Sequence, residues 1–235
     1  MKPDRIFLLR HGQSQGNENR NIYKETPDYA IQLTDKGKKQ AQDVALKIRD
    51  IIKESSIQYY VSPYWRTRET YIELKSGLHS KIENYYEDPR LREQEWGHLR
   101  HSDLTSKMEE YRDNYGQFYY RFSDGESCAD VFDRTSDFMN TMFRDFEKID
   151  FPRNVIIITH GMTMRLFLMR WFHANIEEFE KWKNPYNCGY YLMERGDNEK
   201  YKLTTPLKIH NVKHKYQFDW KNTVIKNKLQ IESKL

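Results

Sequence analysis

The 235-residue chain has only two cysteines, Cys128 and Cys188, far apart in sequence. Neither lies in a Cys-x-x-Cys pattern and no His-x-x-x-His spacing accompanies them, so nothing announces a metal site and none is expected; both read as reduced thiols. Long apolar runs are missing too. The stretch richest in Ile and Val is only Val155 to Ile158, which excludes a segment integral to a membrane. No apolar signal-peptide core follows Lys2, which makes a cytoplasmic location the default. An excess of one charge is also lacking. With 39 Lys and Arg against 35 Asp and Glu, the net charge of +4 does not suggest a nucleic-acid partner. There is no repeat and no low-complexity tract. Nor does a linker-like shift in composition divide the chain, so residues 1–235 read as one domain, long enough for a real core. Residues 208–235, with Lys208, Lys213, Lys215, Lys221, Lys226 and Lys228, read as a solvated basic tail.

What the chain does have is aromatic bulk, with 17 Tyr, 12 Phe and 5 Trp to build a core and line a pocket. Ile6 to Leu9 reads as a buried strand that Gly12 and Ser14 end abruptly, so it delivers Arg10 and His11 to its C-terminal end. Open α/β sheets keep their ligands at that edge. Thr34 offers a cap to a helix whose face is Ala41, Val44, Ala45, Ile48, Ile51 and Ile52. Ile57 to Val61 reads as a second strand, stopped by Ser62-Pro63, with a helix following through Arg66 to Leu74. From Asn84 to Leu99 the pattern is mixed, with a short strand or extended loop expected near Leu91 and a turn at Gly97. Residues 99–125 read as a Tyr-rich helical excursion over a site or as a surface helix with Tyr packed beneath it. Another amphipathic helix carries Val131, Phe132, Phe138, Met142, Phe143 and Phe146. Then Val155 to Ile158, apolar on both faces, reads as a central strand of a covered parallel sheet. It exits through Thr159-His160-Gly161 into a helix from Met162 to Phe172.

Two strands thus each present a histidine at the same kind of edge. The polar residues that leave strand ends or flank turns are Arg10, His11, Asn17, Arg66, Glu93 and His160. Two guanidiniums and an amide can hold three phosphoryl oxygens while one imidazole attacks in line and the other donates to those oxygens. A carboxyl group remains to protonate the leaving alkoxide. Such a site needs no metal, because guanidinium and imidazolium charge serve in its place. In an extended segment Glu93 and Glu95 face the same side, so spacing alone leaves both open as the acid.

Leu9-Arg10-His11-Gly12-Gln13-Ser14 with Asn17, then Ser62 to Thr70, then Leu91-Arg92-Glu93, Gly125-Glu126-Ser127 and Thr159-His160-Gly161 resemble the ordered signatures of the histidine phosphatase superfamily, the phosphoglycerate mutase-like fold. Residues Tyr119 to Trp171 are especially similar to its broad-range acid phosphatase branch. The resemblance implies a three-layer α/β/α fold with a mostly parallel central sheet. It implies a phosphohistidine intermediate on His11, catalytic roles for Glu93 and His160, and a phosphate pocket of Arg10, Asn17, Arg66 and Gly161. The Leu-x-Glu match favours Glu93 over Glu95. The expected activity is phosphomonoester hydrolysis without a cofactor, on a small phosphorylated substrate, with a homodimer as a further option. The alternatives are a phosphoglycerate mutase-type transfer and a non-catalytic partner-binding module. Opposite protonation demands on His11 and Glu93 predict a bell-shaped rate profile. The chain departs from the family pattern at Tyr64-Trp65, where many members carry Leu-Lys, and at His98 to His101, where phosphatases often have Glu-Gly.

Overall fold

The strands that end in His11 and His160 lie side by side. In a computed structural model, which describes residues 2–78, 83–97, 110–112 and 114–210, β1 (Arg5–Arg10) pairs in parallel with Asn154–Thr159, placing Arg10 opposite Thr159. In chain order the elements after β1 are α1 (Gln15–Glu18), α2 (Asp35–Ile52), β2 (Ile57–Val61), α3 (Trp65–Gly77), β3 (Glu83–Glu87), α4 (Cys128–Phe146), β4 (Asn154–Thr159), α5 (Gly161–Trp171), α6 (Ile176–Lys181), β5 (Tyr190–Arg195) and β6 (Tyr201–Leu203). Among the described residues the sheet has six strands in the order β3-β2-β4-β1-β5-β6. β1 to β4 run parallel, and β5 and β6 are antiparallel additions at one side.

Period-2 alternation sorts the central strands onto two cores. Ile6, Leu8, Tyr60, Val155 and Ile157 face α4, α5 and α6, packing on Val131, Phe138, Met142, Leu166 and Phe179. Phe7, Leu9, Tyr59, Val61, Ile156 and Ile158 face α2 and α3, packing on Ala41, Val44, Ala45, Ile48 and Leu74. The result is the expected three-layer α/β/α arrangement. β4 is buried along its whole length, as its apolar composition requires.

Local signals set the helix starts. Thr34 Oγ1 accepts from the Gly37 amide at the head of α2, and Ser127 and Asp130 form a reciprocal capping box at the head of α4.

Near Leu91, where a short strand or an extended loop is expected, the structure has no strand. The nearby strand is Glu83–Glu87, an exposed edge whose Glu-Asn-Tyr-Tyr-Glu sequence carries no buried alternation, and Leu91 closes a single 3-10 turn, Pro89–Leu91. Gly97 does make a turn, at φ +66, where a Cβ would lie 1.9 Å from the Ser123 carbonyl oxygen. Most of the 99–125 excursion that precedes residue 114 lies outside the described residues, as do His98 to His101. Of the tail, Lys208 to His210 run beside α6, the Lys183 amide donating to Lys208 O (2.7 Å) and the His210 amide to Lys181 O (2.7 Å); residues 211–235 lie outside the described residues. Among the described residues no helix is long and apolar enough to cross a membrane. Cys128 and Cys188 are buried free thiols, and burial pushes each up to about 12.

Candidate active site

The C-terminal ends of β1, β2 and β4 lie together at one edge of the sheet. β1 supplies Arg10 and His11, β2 leads into Ser62 and Tyr64, and β4 leads into His160. The rings of His11 and His160 lie 5.2 Å apart, and both residues are buried.

His11 is held by its own backbone surroundings. Its amide donates to Thr159 O (3.1 Å), and its carbonyl accepts from the Cys188 amide and from Asn187 Nδ2, each at 3.2 Å. Its ring Nδ1 lies 2.7 Å from Gly12 O. A carbonyl only accepts, so Nδ1 carries the proton and Nε2 carries the lone pair in the neutral ring. Burial, followed by the charges of Arg66 and Arg10, pulls His11 well below the ordinary histidine value.

The turn after His11 is built by close backbone approach. The Gly12 amide donates to Thr70 Oγ1 (3.0 Å), and Thr70 Oγ1 in turn donates to Arg66 O (2.6 Å). A Cβ on Gly12 would stand 2.4 Å from Gly37 O, and one on Gly37 would stand 2.1 Å from Gln13 O. Only glycine lets this turn and the start of α2 meet so closely.

His160 immediately precedes α5. Its Nε2 shares a hydrogen bond with Ser62 Oγ (2.8 Å), and its ring packs edge-on against Tyr64 at 5.1 Å. Burial and then the Arg66 and His11 charges pull it, too, well below the usual histidine value. His160 Nδ1 and Arg10 Nε are both buried without a hydrogen-bond partner. Arg10 spends another donor on Pro185 O (Nη1, 2.7 Å).

Arg66 enters from the first turn of α3 and is nearly buried. Its Nη1 donates to Asp28 O (2.7 Å) and Asp28 Oδ1 (2.8 Å), while Nη2 lies 3.4 Å from Asp28 Oδ2. The Tyr64 ring lies under the guanidinium at 4.8 Å. Tyr64, a departure from the family pattern, thus packs against both an arginine and a histidine of the site.

Glu93 reaches the start of α5, its Oε2 3.5 Å from the Met162 amide and its Oε1 3.0 Å from the Gln94 amide and 3.5 Å from Thr163 Oγ1. A carboxylate there faces the positive end of the α5 dipole. Glu95 is exposed, and partial burial and then the Asp28 charge raise its carboxyl above the ordinary value. As the first residue of α5, Gly161 presents an amide without an intrahelical acceptor; a Cβ there would meet Asn184 Cγ at 2.7 Å. Asn17 lies at an exposed position. Its Oδ1 accepts from the Ser14 amide (3.2 Å), capping α1, and from Asn187 Nδ2 (2.9 Å).

The loop bearing Glu93 is clamped from behind. Arg134, on α4, donates to the carbonyls of Arg90 (2.6 Å), Arg92 (2.9 Å) and Glu93 (3.1 Å) and to both oxygens of Glu126. Glu126 also accepts from Arg92 and from the Glu95 amide. Burial works to raise the Glu126 carboxyl, but Arg134, the Glu95 amide and Arg92 together hold it low. Glu126 belongs to the Gly125-Glu126-Ser127 signature. Asp28, Ser62, Thr70, Arg134 and Asn187 were given no role by sequence reasoning, although Ser62 and Thr70 bound one of the signatures and Ser62 lies just past a strand end.

The sequence model of the histidine phosphatase superfamily (branch 1) matches residues 6–205. This chain belongs to the histidine phosphatase superfamily. Phosphoglycerate mutase-like protein AT74H of Arabidopsis thaliana is 39% identical over 220 residues, covering 86% of this chain and 77% of that protein. Broad-range acid phosphatase DET1 of Saccharomyces cerevisiae is 27% identical over 300 residues, covering 88% and 90%. Among solved structures of the same fold, a mycobacterial glucosyl-3-phosphoglycerate phosphatase superposes with a TM-score of 0.66 at 18% identity, covering 87% of this chain and 99% of that one. Bacillus stearothermophilus YhfR gives 0.66 at 20% identity, covering 88% and 98%. The superfamily holds both phosphatases and mutases, so membership by itself leaves the choice to the site.

Proposed function

We propose that the protein is a metal-independent phosphomonoester hydrolase that works through a phosphohistidine on His11. The observation that carries this reading is the His11 Nδ1 to Gly12 O bond at 2.7 Å, which leaves the lone pair on Nε2. Depressed basicity keeps that ring neutral, and therefore nucleophilic, well into acid.

The chemistry follows in two displacements. His11 Nε2 attacks phosphorus and the bond to the ester oxygen breaks, the alkoxide taking a proton from the Glu93 carboxyl. Water then attacks the phosphohistidine, giving its proton to Glu93, and the bond from phosphorus to Nε2 breaks to release inorganic phosphate. Arg10, through its unpartnered Nε, and Arg66 bind the non-bridging oxygens, with Asn17 and the Gly161 amide at the same group. Ser62 donating to His160 Nε2 would place the proton on Nδ1, the partnerless atom, ready to donate to the phosphoryl oxygen. Glu93 is the proton carrier in this reading because its carboxylate lies at the start of the helix that follows His160.

The broad-range acid phosphatase relative supports hydrolysis over a mutase-type transfer. The test is a panel of small phosphomonoesters with 3-phosphoglycerate and trace 2,3-bisphosphoglycerate, scoring phosphate release and isomerisation in parallel, with His11→Ala as blank. Release dependent on His11 without isomerisation is expected. Isomerisation outpacing release would make the protein a mutase, and silence in both would make it a non-catalytic member of the fold.

A further inference from the structure

Resting on this phosphate-pocket reading, we propose that Asp28 is a positioning residue of the pocket: it locks Arg66 by its outer edge and offsets that charge, so that product phosphate is held loosely enough to leave. Asp28 opens a single 3-10 turn, Asp28–Ala30, in the loop between α1 and α2. The Arg66 side chain is 4% exposed and that of Asp28 is 21% exposed, so the carboxylate sits on the solvent side of a buried guanidinium.

Counting donors shows what remains for a ligand. A guanidinium has five N–H groups. Asp28 takes both on Nη1, one through its carbonyl and one through Oδ1, and faces one on Nη2 through Oδ2. The Nε–H and the second Nη2–H are left, and these form the parallel side-on pair suited to two oxygens of one phosphoryl group. Asp28 therefore selects which edge of Arg66 meets phosphate.

Counting charges shows what the carboxylate adds. Arg10 and Arg66 are cationic, while His11 and His160 are kept neutral by their surroundings. A dianionic product between two unopposed guanidiniums in a buried site would be slow to leave. A carboxylate on the far side of Arg66 weakens that hold and leaves the hydrogen-bond geometry intact.

The experiment compares phosphate binding to the full chain by titration calorimetry for the wild type, Asp28→Asn and Arg66→Ala. Asparagine keeps an oxygen acceptor and loses the charge. The dissociation constant for inorganic phosphate should fall roughly 3- to 30-fold in Asp28→Asn, with kcat reduced and product inhibition stronger. Saturating phosphate should also raise the melting temperature of Asp28→Asn more than that of the wild type, a reading that needs only a folded variant. An unchanged or weaker phosphate affinity in Asp28→Asn, with Arg66→Ala still impaired, would overturn the role of Asp28 alone. Arg66→Ala binding phosphate as well as the wild type would overturn the pocket reading, and this proposal with it.

Discussion

Replacing Arg134 with methionine keeps much of the side chain's apolar length and removes the head group that clamps the Glu93 loop. The Arg134 side chain is only 10% exposed and that of Glu126 only 13%. The change deprives the Arg90, Arg92 and Glu93 carbonyls of their donor and leaves the Glu126 carboxylate with Arg92 and the Glu95 amide. Breaking a largely buried ion pair from one side costs about 3–5 kcal/mol, because the remaining charge stays desolvated. For a domain of this size that corresponds to a fall in melting temperature of roughly 6–20 °C. Glu126→Gln in the same background should recover part of the loss, since it removes the stranded charge; Arg134→Lys should not, since one ammonium cannot reach three carbonyls and a carboxylate. With the clamp gone Glu93 is no longer fixed, so kcat should fall more than KM rises. A variant that melts within about 2 °C of wild type, or a double variant no better than Arg134→Met, would refute the clamp.

Three further predictions concern the pocket itself. Ser62→Ala should lower kcat roughly 10-fold or more with little change in KM, by releasing the His160 tautomer, measured by steady-state kinetics with a melt as control. Gly12→Ala should destabilise by about 1–3 kcal/mol, because the new Cβ meets a backbone oxygen at 2.4 Å rather than a flexible side chain, read from denaturant midpoints. His11 and His160 titrate well below the unfolded histidine value near 6.5. As pH falls below about 6.5 the unfolded chain takes up protons that the native state refuses, so this contribution to stability is full above that pH and is lost at up to about 1.4 kcal/mol per pH unit per histidine toward the depressed native values. Denaturant midpoints at pH 7 and pH 5 should show a shallower decline in His11→Asn than in the wild type.

The parts of this site that sequence reasoning reaches are those fixed by strand direction. A short apolar run must end somewhere, and when Arg10-His11 and His160-Gly161 follow two such runs, parallel pairing brings them together at one edge. β3 escaped because an exposed edge of Glu, Asn and Tyr needs no apolar alternation, so a short strand or extended loop was expected near Leu91 instead. β5 and β6 gave no signal that was used. Their antiparallel pairing with β1 is long-range, yet it sets the loop from which Pro185 holds Arg10 and Asn187 holds His11. Asp28 is carried by an irregular turn and Arg134 by a mixed helix face, between Asp130, Val131, Asp137 and Phe138; both are placed by tertiary packing, which no local pattern encodes. Asn17 was expected on phosphate; what the structure shows is its side chain capping α1 and accepting from Asn187.

The central claim is that phosphate passes through Nε2 of His11. A base-quenched single-turnover reaction on an aryl phosphate, followed by peptide mass spectrometry and phosphorus NMR, tests it directly, since phosphohistidine survives alkali. Phosphate on the peptide carrying His11, bonded at Nε2 and enriched in Glu93→Gln, is the predicted result. Turnover that never labels His11, or that persists in His11→Ala, would contradict it.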